Sequence, residues 1–213
     1  MTVVIEDGFS GTNGDNITGR TPDTIDNGNT WNDFQQLGAG AGESEVQSNE
    51  MAFGQNGRGV SIEGADADGT IQFEWYTPSG SNNRNSMIFR LSDNYNYNYL
   101  NIRHDQGTND DWQLVNVVAS GFDTELSNSY VWTDNAWHTI KLNCDGDTIN
   151  AWIDENQIIT DRTMAENNTN TSHGVYRNAS DGVARTDDFT FDDTGAPPVG
   201  GIASQRTLIG VGI

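Results

Sequence analysis

Residues 137–160, WHTIKLNCDGDTINAWIDENQIIT, constrain the fold more than any other stretch. From His138 to Cys144 the side chains of Ile140, Leu142 and Cys144 point one way, and those of Thr139, Lys141 and Asn143 the other. That period of two marks a half-buried strand. Asp145-Gly146-Asp147 supplies a tight turn, because Gly tolerates positive φ and Asp hydrogen-bonds its own backbone. Ile149, Ala151 and Ile153 resume the inward face, and Asp154-Glu155-Asn156 turns the chain into residues 157–160. The spacing predicts a three-stranded antiparallel meander against which the rest of the chain packs.

The same alternation recurs elsewhere. At 70–76, Ile71, Phe73 and Trp75 oppose Gln72, Glu74 and Tyr76. At 86–91, Met87, Phe89 and Leu91 share a face, and strands follow at 95–103 and 112–118. Val3, Val4 and Ile5 open a first strand and TDDFTFD at 186–192 closes the series. Weaker candidates lie at 46–53, 59–62 and 174–176, with a short edge strand at 130–132. Loops are expected at 10–29, tied down by Trp31 and Phe34, and at 37–43, 105–111, 120–129 and 161–171. This gives about a dozen strands with no long period of 3.6. With 24 Gly against 4 Pro, the turns are many and short. The expectation is an all-β fold, a jelly-roll β-sandwich of two antiparallel sheets, with its first and last strands adjacent.

The formal net charge of −21 comes from 31 acidic against 10 basic residues, of which only Lys141 is a lysine. A field of that sign argues against nucleic acid or an anionic membrane as partner and permits cations. The single cysteine, Cys144, excludes an intramolecular disulfide and reads as a small buried hydrophobe on an inward strand face. The N-terminus lacks the basic and apolar regions of a cleaved signal, and no stretch approaches membrane-spanning length. Synthesis in a cytoplasm is expected. Residues 194–213 change character: Pro197 and Pro198 stiffen a departure from the domain, Arg206 is the one charged side chain, and Leu208, Ile209, Val211 and Ile213 make an apolar, β-capable end. Two readings stand for this extended C-terminal tail: an unstructured end, or an assembly arm that docks on a neighbouring subunit or sheet edge. An apolar end on so acidic a domain favours the arm, with the chain's own subunits or another protein as partner.

With its elements in this order the chain resembles the concanavalin A-like lectin/glucanase superfamily in its laminin-G-like branch. DGFSGTNGDNITGRTPDT at 7–24 with NTW at 29–31, MIFRLSDNYNYNYLNIR at 87–103, the meander at 137–158 and TDDFTF at 186–191 carry the resemblance. It covers 1–193 and leaves out the tail. It implies a jelly roll with one sheet face used for carbohydrate, and roles from sugar binding and glycan hydrolysis to adhesion and structural modules on phage particles. It also implies a structural Ca2+ between the terminal segments, for which Asp7 and Asp188 are the candidate ligands; the alternative is that Asp7 shapes a turn and Asp188 faces water. The opening segment is similar to domains of phage proteins. On that likeness the first reading is a non-enzymatic structural module on a virion surface, in capsid decoration or a tail fibre, attached by its C-terminal arm to other virion proteins or to its own subunits.

Glycan hydrolysis requires two carboxylates flanking the scissile bond, and the Glu-x-Asp-x-x-Glu spacing of the family's glucanases is absent from the sequence. His104, His138 and His173 are scattered, without ligand or triad spacing. No catalytic residue and no required cofactor is expected. Tyr95, Tyr97 and Tyr99 alternate with Asn94, Asn96 and Asn98, so at strand spacing the tyrosines share a face. Stacked rings beside amides bind sugars, and the same pattern also serves cross-strand packing. The alternative function is therefore a lectin-like module binding glycan through Tyr95, Tyr97, Tyr99, Asn94 and Asn96, with an extracellular location as the alternative setting.

Overall fold

The computed structural model describes residues 4–25, 27–36, 42–53, 57–64, 66–79, 83–104, 111–177 and 185–193. The candidate arm residues Pro197, Pro198, Arg206, Leu208, Ile209, Val211 and Ile213 lie outside the described residues. The strands, in chain order, are β1 (Val4–Asp7), β2 (Thr24–Ile25), β3 (Asn32–Gln35), β4 (Glu45–Val46), β5 (Met51–Ala52), β6 (Arg58–Glu63), β7 (Gly69–Thr77), β8 (Asn83–Asp93), β9 (Asn96–His104), β10 (Asp111–Val118), β11 (Gly121–Ser129), β12 (Ala136–Asp145), β13 (Thr148–Ile153), β14 (Asn156–Thr163), β15 (Ser172–Arg177) and β16 (Arg185–Asp192). No helix occurs among the described residues.

One sheet has nine strands, in the order β14-β13-β12-β7-β16-β1-β2, with β5 beside β16 and β4 beside β5; the other has seven, β11-β10-β9-β8-β15-β6-β3. Every pairing is antiparallel, which makes the fold a jelly-roll β-sandwich. The meander is β12-β13-β14, with Lys141 opposite Trp152 and Trp152 opposite Gln157. Its second turn places Asp154 and Glu155 at φ 48° and 66°, the two left-handed residues of a tight hairpin. The first and last strands are neighbours, Ile5 opposite Phe191 and Asp7 opposite Phe189.

Between the sheets lies the core. The nine-stranded sheet contributes Ile5, Ile71, Phe73, Trp75, Ile140, Leu142, Ile149, Ile153, Phe189 and Phe191. The seven-stranded sheet contributes Val60, Ile62, Met87, Phe89, Leu100, Ile102, Trp112, Leu114 and Val175. Each buried side chain of this size stabilises the fold by about 1.5–3 kcal/mol. Cys144 is buried in this layer, which pushes its thiol up to about 12 and makes it inert, as expected. Trp31 fixes the loop between β2 and β3: its ring packs on Phe9 and edge-on to Phe189, and its Nε1 donates to Asp7 Oδ2 at 2.7 Å.

The expected loop at 10–29 contains β2, β14 runs on to Thr163 into the expected loop at 161–171, and three further expectations need correction. Residues 120–129 are not a loop but strand β11, an edge strand entered through Ala119 and Ser120 at φ 49° and 68°. Residues 130–132 form no strand; Tyr130 and Trp132 instead pack together at 4.6 Å, with Trp132 Nε1 donating to the Arg103 carbonyl. Residues 46–53 are two short strands, β4 and β5, because Ser48 and Asn49 take positive φ between them.

Candidate functional site

A β-sheet presents alternate residues to opposite faces, so each sheet of the sandwich has an inner face in the core and an outer face. On the seven-stranded sheet the outer face carries a second apolar cluster of Phe34, Ile88, Leu91, Tyr97, Tyr99, Val115, Val117 and Tyr176. Phe34 meets Tyr97 and Tyr176 edge-on at 5.2 and 5.3 Å, and Tyr99 meets Tyr176 at 5.6 Å. Gly59, between Phe34 and Tyr176 in register, admits no side chain: a Cβ there would lie 2.1 Å from the Val175 carbonyl oxygen.

Cross-strand register extends this cluster into a polar row. Tyr176 is opposite Ser86, Ser86 opposite Asn101, and Asn101 opposite Gln113. Ser86 Oγ donates to Asn101 Oδ1 at 3.1 Å, and Asn101 Nδ2 donates to Gln113 Oε1 at 3.4 Å. The next outward row holds Arg84 opposite Arg103, with Arg103 Nη1 3.3 Å from Asp111 Oδ2. Ser86 and Asn101 are buried, whereas Arg84, Arg103, Asp111 and Gln113 are half-buried. Burial pushes the Tyr99 phenol up to about 12 and raises those of Tyr97 and Tyr176 further. Gln36 lies close enough to Tyr97, and Ser86 to Tyr176, to temper that rise. Neither approach has hydrogen-bond geometry, so among the described residues both hydroxyls are buried without a partner.

The sequence-predicted site residues separate. Tyr97 and Tyr99 do share a face, at 0 % and 6 % exposure, while Tyr95 stands in the β8–β9 turn at 48 %. Asn94 is exposed in that turn; Asn96 donates to Asp93 and accepts from the Ala119 N–H, and so shapes the hairpin. Asn98 points inward, where its amide donates to the Glu166 carbonyl and accepts from Asn167. The row Ser86–Asn101–Gln113 was not foreseen, because it exists only once the register of three strands is known.

Asp7 and Asp188 come close, as adjacency of the terminal strands requires. With Glu6, Asp23 and Phe189 they line a cleft of about 400 Å³. Asp7 is engaged already: one carboxylate oxygen accepts from the Phe9 N–H at 2.8 Å and from Arg20 at 3.0 Å, the other from Trp31. Burial raises its pKa against the pull of Trp31, Arg20 and Phe9. Among the described residues no three His, Cys, Asp or Glu side chains group to hold a metal ion.

The outer face of the nine-stranded sheet is built differently. Trp137 is opposite Tyr76, and Tyr76 opposite Arg185; four residues along β12, Lys141 is opposite both Trp152 and Gln72. Lys141 Nζ sits 4.6 Å from the centre of the Trp152 ring, the Arg185 guanidinium 4.8 Å from that of Tyr76, and Trp137 packs on Tyr76 at 5.4 Å. Burial lowers the Lys141 pKa, with Glu155 opposing the shift. All three rings are half-buried rather than covered.

No family model and no curated protein matches the chain. Among solved structures, the CBM2 module of the evolved Dit of Lactobacillus casei BL23 phage J-1 is similar at a TM-score of 0.62 and 14 % identity, over 93 % of this chain and 98 % of that one. The carbohydrate binding module CBM66 from Bacillus subtilis is similar at a TM-score of 0.51 and 12 % identity, over 76 % and 91 %. At these identities the similarity is one of fold: the chain is a jelly-roll β-sandwich of the architecture that carbohydrate-binding modules use.

Proposed function

We propose that this chain is a non-catalytic carbohydrate-binding module whose glycan lies on the outer face of the seven-stranded sheet. The observation that carries the reading is the cross-strand row Ser86–Asn101–Gln113, opening on Arg84, Arg103 and Asp111. Sugar hydroxyls are paired donors and acceptors, and they are matched by planar amide, guanidinium and carboxylate groups held in fixed positions. The row is fixed by its neighbours. Phe34, Tyr97, Tyr99 and Tyr176 are packed edge to face beside it on the same face, so little side-chain entropy remains to be lost on binding. The tyrosines then act as a rigid support, and the half-exposed polar groups make the contacts. Both structural neighbours are carbohydrate-binding modules, which supports this class.

The phage origin of one neighbour supports the narrower reading of a concanavalin A-like module carried on a phage particle, where it would hold the particle to a surface glycan. The acidic field keeps such a module soluble and off nucleic acid. The test is binding of the pure chain to immobilised polysaccharides, wild type against Gln113→Ala and Arg84→Ala. Each substitution removes a half-exposed contact without opening the core, and a tenfold weaker affinity is expected in protein that stays folded, Gln113→Ala melting slightly lower because the buried Asn101 amide loses its acceptor. Equal affinity in both variants would place the glycan elsewhere.

A further inference from the structure

The aromatic strip on the outer face of the nine-stranded sheet is, we infer, a second carbohydrate-binding surface that takes a neutral polysaccharide chain. This inference rests on the carbohydrate-binding reading and adds a site to it on the opposite side of the sandwich. Tyr76, Trp137 and Trp152 are half-exposed on one face of three adjacent strands. Partly exposed rings gathered on one face offer a contact surface.

The rings are held. Lys141 is seated on Trp152, Arg185 on Tyr76, and Trp137 leans on Tyr76. A cation over a ring fixes the ring's plane and lowers the entropy lost on binding. The two aromatic rows stand four residues apart along β12, about 13 Å at strand rise. Between them lie Thr139 and Glu74, opposite each other in register, and beside Lys141 lies Gln72. Rings at both ends with hydroxyl, carboxylate and amide groups between suit a chain of sugars, whose faces stack while their edges hydrogen-bond.

Charge selects the occupant. The chain carries −21, so a second copy or an acidic polymer meets repulsion. On the strip itself the cations are balanced: Arg185 bonds Glu50 at 2.8 Å, and Lys141 feels Glu155. With its cations paired and Glu74 between the rings adding a further negative charge, this ring-bearing surface on an acidic domain fits an uncharged polyhydroxylated polymer better than either.

The test is native electrophoresis through gels cast with soluble starch, dextran, xyloglucan, galactomannan, mixed-linkage β-glucan or arabinan, with light scattering and thermal melting of each variant. For at least one polysaccharide, the double variant Trp137→Ala/Trp152→Ala should bind at least tenfold more weakly than wild type. Thr139→Arg, which places a bulky charge mid-strip without touching the core, should do the same and guards against misfolding of the double variant. Gln113→Ala should leave this component of binding unchanged. Retardation lost in Gln113→Ala but intact in both strip variants would overturn the second site and leave the first standing. A wild-type chain retarded in no gel would also overturn it, as would an oligomer that only the strip variants dissolve.

Discussion

The two outer faces of the sandwich obey the same alternation and reach opposite ends. On the seven-stranded sheet four rings, Phe34, Tyr97, Tyr99 and Tyr176, are packed edge to face and hidden. On the nine-stranded sheet three rings, Tyr76, Trp137 and Trp152, remain half-exposed under two cations. Periodicity says which side chains share a face; whether that face is covered depends on what else the chain lays across it. A covered ring contributes stability and an uncovered one is available for contact, so the faces divide labour between holding a polar row rigid and offering rings directly.

Truncating a covered ring should therefore have the largest effect. Tyr176→Ala should destabilise by about 3–5 kcal/mol, seen as a lower denaturation midpoint, because it opens a cavity among Phe34, Tyr97 and Tyr99. Trp152→Ala should change stability by under about 1 kcal/mol, as a substitution at a solvated face does. Similar values for the two would break the comparison.

Below this in size comes a pH effect that belongs to the core between the faces and should touch both alike. His173 is buried, stacked on Phe191 at 4.4 Å, with Nε2 donating to the Asp66 carbonyl. Burial pulls its pKa down to about 4, with the Arg90 charge adding to the fall and the Asp66 carbonyl opposing it. The unfolded chain then binds a proton near pH 6.5 that the folded chain refuses, so stability falls as pH drops from 6.5 toward 4, by on the order of 3 kcal/mol. His173→Gln should flatten this slope in denaturant titrations run across that range.

His138 behaves in the opposite sense. Its Nδ1 is 2.5 Å from Asp154 Oδ2 and its Nε2 3.1 Å from the Thr133 carbonyl oxygen, so both nitrogens face acceptors and the imidazolium satisfies both. Burial alone would lower its pKa, but the Asp154 hydrogen bond and charge, with the Thr133 carbonyl, outweigh it and raise it. The stability it adds is complete below pH 6.5 and is lost as pH rises through the folded-state value. Melting from pH 6 to 8 should show a decline that Asp154→Asn removes. The smallest expected effect sharpens the comparison: of the six tryptophans, Trp137 and Trp152 should account for most acrylamide quenching, because Trp31, Trp75, Trp112 and Trp132 are buried. Strong residual quenching in Trp137→Phe/Trp152→Phe would contradict the exposed strip.

Much of the architecture was legible in the chain. The meander at 137–160 is readable because its strands are half-buried and its turns carry Asp and Gly, and adjacency of the terminal strands followed from the sandwich itself. Strand β11 was not legible. Its nine residues are mostly exposed, so no apolar alternation marks it, and the turn before it takes positive φ at Ala119 and Ser120 without glycine. The tyrosine face was legible as a face, but the loss of Tyr95 to a turn and the burial of Tyr97 and Tyr99 were not. The strip left a signal: Tyr76 falls on the outward set of β7, and Trp152 alternates with Ala151 and Ile153 on β13. Their meeting with Trp137 requires the β7–β12–β13 register, which single-strand periodicity does not contain.

The most direct test of the carbohydrate-binding claim is a glycan array probed with the full-length chain. The account predicts selective binding to a chemically related set of glycans, reduced by substitutions at Gln113 or Arg84 in protein that remains folded. A folded chain that binds no glycan on the array, or binds all equally whatever stands at Gln113 and Arg84, would contradict it.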